Sequence, residues 1–111
     1  MTNSKWLIDL NAHLETQGIE LTKRELYNAT PLYVNVTTNP KLKGTMAHSR
    51  FASYFTDGIV CIGDALAAGL RQDDIRHDSD KGFILLGDRA NEAYEIASRP
   101  VALLTYEPMA A

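Results

Sequence analysis

The chain has 111 residues, of which 45% are hydrophobic and 23% charged, with a formal net charge of −3. That length fits one core and one domain spanning 1–111. The charge argues against nucleic acid as the main partner, because Lys and Arg supply backbone affinity, and a single cysteine excludes an internal disulfide framework. No apolar run approaches the roughly 18 residues that a membrane span needs. The first residues are polar apart from Trp6, Leu7 and Ile8, which is too little for a signal-peptide core. A cytoplasmic location without membrane contact is therefore expected.

Asn3 or Ser4 can cap a first helix over 5–17. Its stripe is Trp6, Leu7, Leu10 and Leu14, and Gly18 ends it. Thr22 and Glu25 have capping-box spacing, which predicts a short second helix over 22–28 before Pro31. Leu32, Val34 and Val36 alternate with Tyr33, Asn35 and Thr37, the period of a half-buried strand.

Residues 38–50 (TNPKLKGTMAHSR) read as an exposed, locally basic loop carrying Lys41, Lys43 and Arg50. Loops of this length often carry function. In the following stretch, Asp57-Gly58 is a good hairpin turn. Ile59, Ile62, Leu66 and Leu70 fit one helical face instead, and we take 58–69 as a helix. Gly63 weakens that helix by about 1 kcal/mol relative to alanine, and it would let another backbone approach. Cys61 in this apolar run reads as an inert core residue. Residues 72–81 (QDDIRHDSDK) read as a polar, mainly acidic loop.

Lys81 to Pro108 reads as strand, helix, strand. Phe83–Leu86 is a short apolar run between two glycines. Asp88 stands where an N-cap would, followed by a helix over 88–98 with Ala90, Ala93, Tyr94 and Ala97 on one face. Arg99 suits the helix C-terminus, Pro100 stops it, and Val101–Tyr106 is a further strand closed by Pro108. The expected fold is α+β: a small mixed sheet of about three strands, packed with three to four helices in a single layer.

No cofactor fingerprint occurs. The glycine-rich dinucleotide and phosphate motifs are missing, the acidic cluster Asp73, Asp74, His77, Asp78 and Asp80 lacks calcium-loop spacing, and Cys61 has no zinc-ligand partner nearby. No cofactor and no metal are expected. Residues 62–76 have partial helix-turn-helix spacing, with Ala65, Gly69, Leu70 and Ile75 in place. Aspartates on the would-be recognition helix would repel phosphates.

Leu32-Tyr33 ahead of Thr37-Thr38-Asn39-Pro40, then Ser53-Tyr54-Phe55-Thr56-Asp57, resembles the core of small ADP-ribosyltransferase-type folds. The resemblance implies an aromatic residue that stacks on nicotinamide near Tyr54, Phe55 and Asp57, with Glu95 or Glu107 as nominal catalytic carboxylates. Val34 stands where that family carries His or Arg, so the chain is not assigned to it.

The first expectation is a small non-enzymatic module that binds another protein through Lys41, Lys43, Arg50, Phe51 and Tyr54, because Arg and aromatic residues dominate interface energetics. A phage- or plasmid-encoded inhibitor or regulator of a host complex is one form of it. A homodimer packed on the small residues at 63–69 is another possibility. The alternatives are a small enzyme at Tyr54, Phe55 and Asp57, and a DNA-binding regulator at 62–76.

Overall fold

The computed structural model describes residues 4–98. The expectations for Asn3, Arg99, Pro100, the strand at 101–106, Glu107 and Pro108 lie outside them. The elements run α1 (Lys5–Gln17), α2 (Lys23–Asn28), β1 (Leu32–Val34), α3 (Met46–Thr56), α4 (Ile62–Ala67), α5 (Gln72–Asp80), β2 (Ile84–Leu86) and α6 (Asp88–Ala97). The fold is α+β, with six helices around a two-stranded sheet among the described residues. No helix among them is long and apolar enough to cross a membrane.

The local signals in the first 28 residues act as expected at Gly18, Thr22 and Glu25. Gly18 ends α1 in the left-handed region, φ 69°. Thr22 and Glu25 form the reciprocal box at the start of α2: the Glu25 N–H donates to Thr22 Oγ1 at 3.1 Å, and the Thr22 N–H donates to Glu25 Oε1 at 2.8 Å. The Thr22 hydrogen bonds hold the Glu25 carboxyl below its usual range.

The middle of the chain departs from expectation. Helix α3 begins at Met46, capped by Thr45, whose Oγ1 accepts from the His48 N–H at 3.1 Å. The segment between β1 and α3 is therefore shorter than 38–50. The hairpin does not form, and the helix expected over 58–69 is present only as α4, Ile62–Ala67. Asp57 ends α3, Gly58 turns the chain at φ 64°, and the next residues run extended up to the start of α4 at Ile62. The Leu32 N–H donates to the Val60 carbonyl and the Ile62 N–H to the Thr30 carbonyl, both at 3.0 Å, so Pro31 and Cys61 form an isolated antiparallel bridge. Residues 72–81 are helix α5 followed by a turn at Lys81 and Gly82, not a loop. Only Ile75 and Asp78 of α5 are buried, and an inward-facing aspartate conceals the apolar period of the helix.

The strands pair antiparallel with Leu32 opposite Leu86, Tyr33 opposite Leu85 and Val34 opposite Ile84. Alternation puts Leu32, Val34, Ile84 and Leu86 on one face. These pack into the core with Phe51, Tyr54, Ile59, Ile62, Ala65, Leu70 and Ile75. On the opposite face Tyr33 meets Tyr94 of α6 edge-on, with ring centroids 4.9 Å apart, and the Tyr94 hydroxyl donates to the Leu32 carbonyl. Helices thus cover both faces of the sheet, which corrects the single layer expected from sequence.

Two glycines mark close approaches. A Cβ on Gly63 would stand 3.1 Å from Asn28 Cβ and 3.2 Å from the Asn28 carbonyl oxygen. The close approach expected there is made by the end of α2. Gly63 and the fully buried Ala65 are thereby engaged within the chain. Gly87 has φ 68° and its Cβ position lies 3.1 Å from Trp6 Nε1, so α1 docks against the turn before α6.

Candidate functional site

The segment joining β1 to α3 is short of regular structure and rich in fastenings. The Asn39 side chain holds both of its ends: Oδ1 accepts from the Lys41 N–H at 3.0 Å, and Nδ2 donates to the His48 carbonyl at 2.9 Å. The Thr45 N–H and hydroxyl both donate to the Leu42 carbonyl, at 3.3 and 2.6 Å, closing a turn over 42–45. These are the local side-chain-to-backbone bonds that Asn and Thr offer at turns.

The segment is also pinned from beneath. Lys41 Nζ lies 2.7 Å from Asp78 Oδ1, and the Asp78 side chain is fully buried. The ammonium stands 5.8 Å from the centroid of the Phe51 ring and 5.6 Å from that of Phe83, within cation–π range. Lys41 Nζ is close to Asp78 Oδ1, yet among the described residues neither Asp78 oxygen accepts a hydrogen bond, and the buried Tyr54 hydroxyl also has no hydrogen-bond partner there. Burial, followed by the charges of Asp78 and Asp74, pushes the Tyr54 phenol well above its ordinary value.

A second ion pair ties α3 to α5. Arg50 donates from Nε to Asp74 Oδ2 at 2.7 Å and from Nη2 to Oδ1 at 3.0 Å, a two-pronged match of guanidinium and carboxylate. Asp74 Oδ2 also accepts from the Arg71 N–H at 2.9 Å, at the start of α5. The Arg50 hydrogen bonds hold the Asp74 carboxyl below the usual carboxylate range, and Asp74 in turn pushes Arg50 up.

These contacts sort the five residues expected to bind a partner. Phe51 is 1% exposed and Tyr54 5% exposed; both point into the core and offer no outer surface. Lys41 is turned inward onto Asp78, and Arg50 is occupied by Asp74. Of the five, Lys43 alone is exposed, and it has no ion-pair partner among the described residues. The basic character read from the sequence is therefore mostly neutralised inside the molecule. The side chains that do project are Leu42, 77% exposed, and Met46, 73% exposed, on either side of the 42–45 turn. A leucine in a polar loop and a methionine at the first turn of a helix were the available signals.

The other readings meet their residues in dispersed positions. Tyr54 is in the core, whereas Phe55 and Asp57 are on the outside of α3 and its end. Asp57 Oδ1 accepts from the neighbouring Thr56 hydroxyl at 2.9 Å. The helices α4 and α5 do stand on either side of a short turn at 68–71, as a helix-turn-helix would. The first turn of α5 carries Asp73 and Asp74, which repel phosphate. Cys61 is half-buried rather than core, at the edge of an apolar hollow formed with Ala29, Pro31, Val60 and Tyr94. Among known proteins, no family model, no curated sequence and no solved structure matches this chain.

Proposed function

We propose that this chain is a small protein-binding module that docks on a partner protein through the tip formed by Leu42, Lys43 and Met46. The observation that carries this reading is the pairing of exposure with fastening. Two large apolar side chains stand about three-quarters exposed on a turn held by Asn39, Thr45 and the Lys41–Asp78 ion pair. A large apolar side chain held in water on an ordered turn gains by burial in a partner, at roughly 25 cal/mol per Å² of apolar surface covered. Ordering the turn before binding removes the entropy cost that a floppy loop would incur on docking.

The complementary surface on the partner is an apolar socket with acidic groups at its edge. Lys43 is the exposed charge on the tip, and rim charges steer encounter more than they add affinity. Inhibition or regulation of a larger protein complex is the form of activity that suits a chain of this size.

The reading is tested with Leu42→Asp combined with Met46→Asp. Both side chains are exposed, so the double variant should keep the thermal midpoint of the parent. It should also lose a partner that the parent retains in a pull-down from the cell that makes it. Retention of that partner by the double variant would refute the tip as the docking element.

A further inference from the structure

The groups packed around the Lys41 ammonium have the chemistry of an ammonium site. The carboxylate of Asp78 lies 2.7 Å from its Nζ. The rings of Phe51 and Phe83 stand 5.8 and 5.6 Å away by their centroids. Asp78 Oδ2 and the Tyr54 hydroxyl, both on side chains more than nine-tenths buried, have no hydrogen-bond partner among the described residues. Tyr54 packs edge-on against Phe51, with ring centroids 4.8 Å apart. These groups come from three separate elements, α3, α5 and the turn before β2, whereas Lys41 comes from the segment that crosses over them.

We propose that Asp78, Tyr54, Phe51 and Phe83 form a binding cage for a primary alkylammonium group, which Lys41 fills from within the chain. Buried carboxylates are costly unless paired, and aromatic faces add attraction for a desolvated cation. The Lys41 ammonium therefore acts as a resident ligand of these groups. The Lys41 side chain is 16% exposed, so its stem marks the route by which an external ammonium would enter. The unpartnered oxygens are the positions to which further N–H donors of such a ligand would bond. This site lies beneath the tip, and it stands whether or not the tip binds a partner protein.

The test vacates the cage and refills it. Lys41→Ala removes the resident ammonium, and n-butylammonium chloride is the probe. The thermal midpoint of Lys41→Ala should rise saturably with the probe over tens of millimolar, by more than it rises with sodium chloride or butanol at equal concentration, as binding to the folded state alone requires. The rise should vanish in Lys41→Ala combined with Asp78→Asn. No excess over sodium chloride, or an excess that persists without the Asp78 charge, would overturn the proposal. If Lys41→Ala does not fold, amide exchange in the parent protein decides. The probe should accelerate exchange at residues 41–46 by competing with Lys41, while β2 and α6 stay unchanged. Unaltered exchange at 41–46 would overturn the proposal.

Discussion

Asp88 closes a helix that begins 83 residues before it: its Oδ1 accepts from the backbone N–H of Trp6 at 2.7 Å. Its Oδ2 accepts from the N–H of Lys5 at 2.8 Å. The N-cap of α1, Ser4, makes no side-chain bond of its own, so a residue from α6 satisfies the free donors at the start of α1. The same carboxylate lies in the first turn of α6, where negative charge suits the helix dipole. Asp88→Ala should therefore cost about 1–2 kcal/mol, read as a lower urea midpoint. Amide exchange should rise at the start of α1 more than in α6. Equal protection of α1 in the variant would contradict the cross-helix cap.

Removing Asp78 alone should be far worse than removing the Lys41–Asp78 pair. Asp78→Ala leaves an ammonium facing two aromatic rings with no counter-charge. Breaking a buried pair in this way costs roughly 3–5 kcal/mol, whereas replacing both members with apolar residues is often neutral or stabilising. Urea unfolding of Asp78→Ala and of Lys41→Met with Asp78→Leu should show this order. A double variant as unstable as the single one would show that packing, not charge, governs the site.

The Arg50–Asp74 pair sets a direction of pH dependence. The folded-state value of Asp74 is depressed, so its contribution is fully present above the unfolded carboxylate value of about 3.9. It is lost as pH falls through the folded-state value. Asp74→Asn should therefore lower stability at neutral pH and make a smaller difference in acid. A difference between parent and variant that does not shrink in acid would contradict this assignment. Arg50→Glu should also weaken the fold, since it places two carboxylates together in a half-buried setting.

Gly63→Ala should destabilise the protein even though alanine favours helix. The new methyl group would sit 3.1 Å from Asn28 Cβ and 3.2 Å from its carbonyl oxygen. Relief of such overpacking costs typically 1–3 kcal/mol, against about 1 kcal/mol gained in helix propensity. A thermal midpoint at or above that of the parent would show that α2 and α4 separate freely.

The parts of this fold legible in the sequence are those decided by local chemistry. The capping box at Thr22 and Glu25, the glycine stop at Gly18 and the apolar run before Gly87 act within a few residues. What escaped was decided at long range. Asp88 looks like the cap of its own helix, but it caps α1 while Gly87 occupies that position. Helix α5 looks like a loop because its inward face pairs Ile75 with an aspartate, and Lys41, 37 residues earlier, makes that burial tolerable. The candidate site was missed for the same reason. Basic residues at 41 and 50 suggest a contact surface, yet each has an acidic partner on α5 that sequence order does not reveal. Phe51 and Tyr54 have the residue types of an interface and the burial of a core.

The most direct test of the tip as a docking surface compares two tagged proteins purified from the native cell, the parent and Leu42→Asp with Met46→Asp. Their thermal midpoints are measured alongside. The account predicts one stoichiometric protein partner on the parent, its loss from the variant, and matching midpoints. A partner held equally by both proteins, or no stoichiometric partner on the parent, would contradict it.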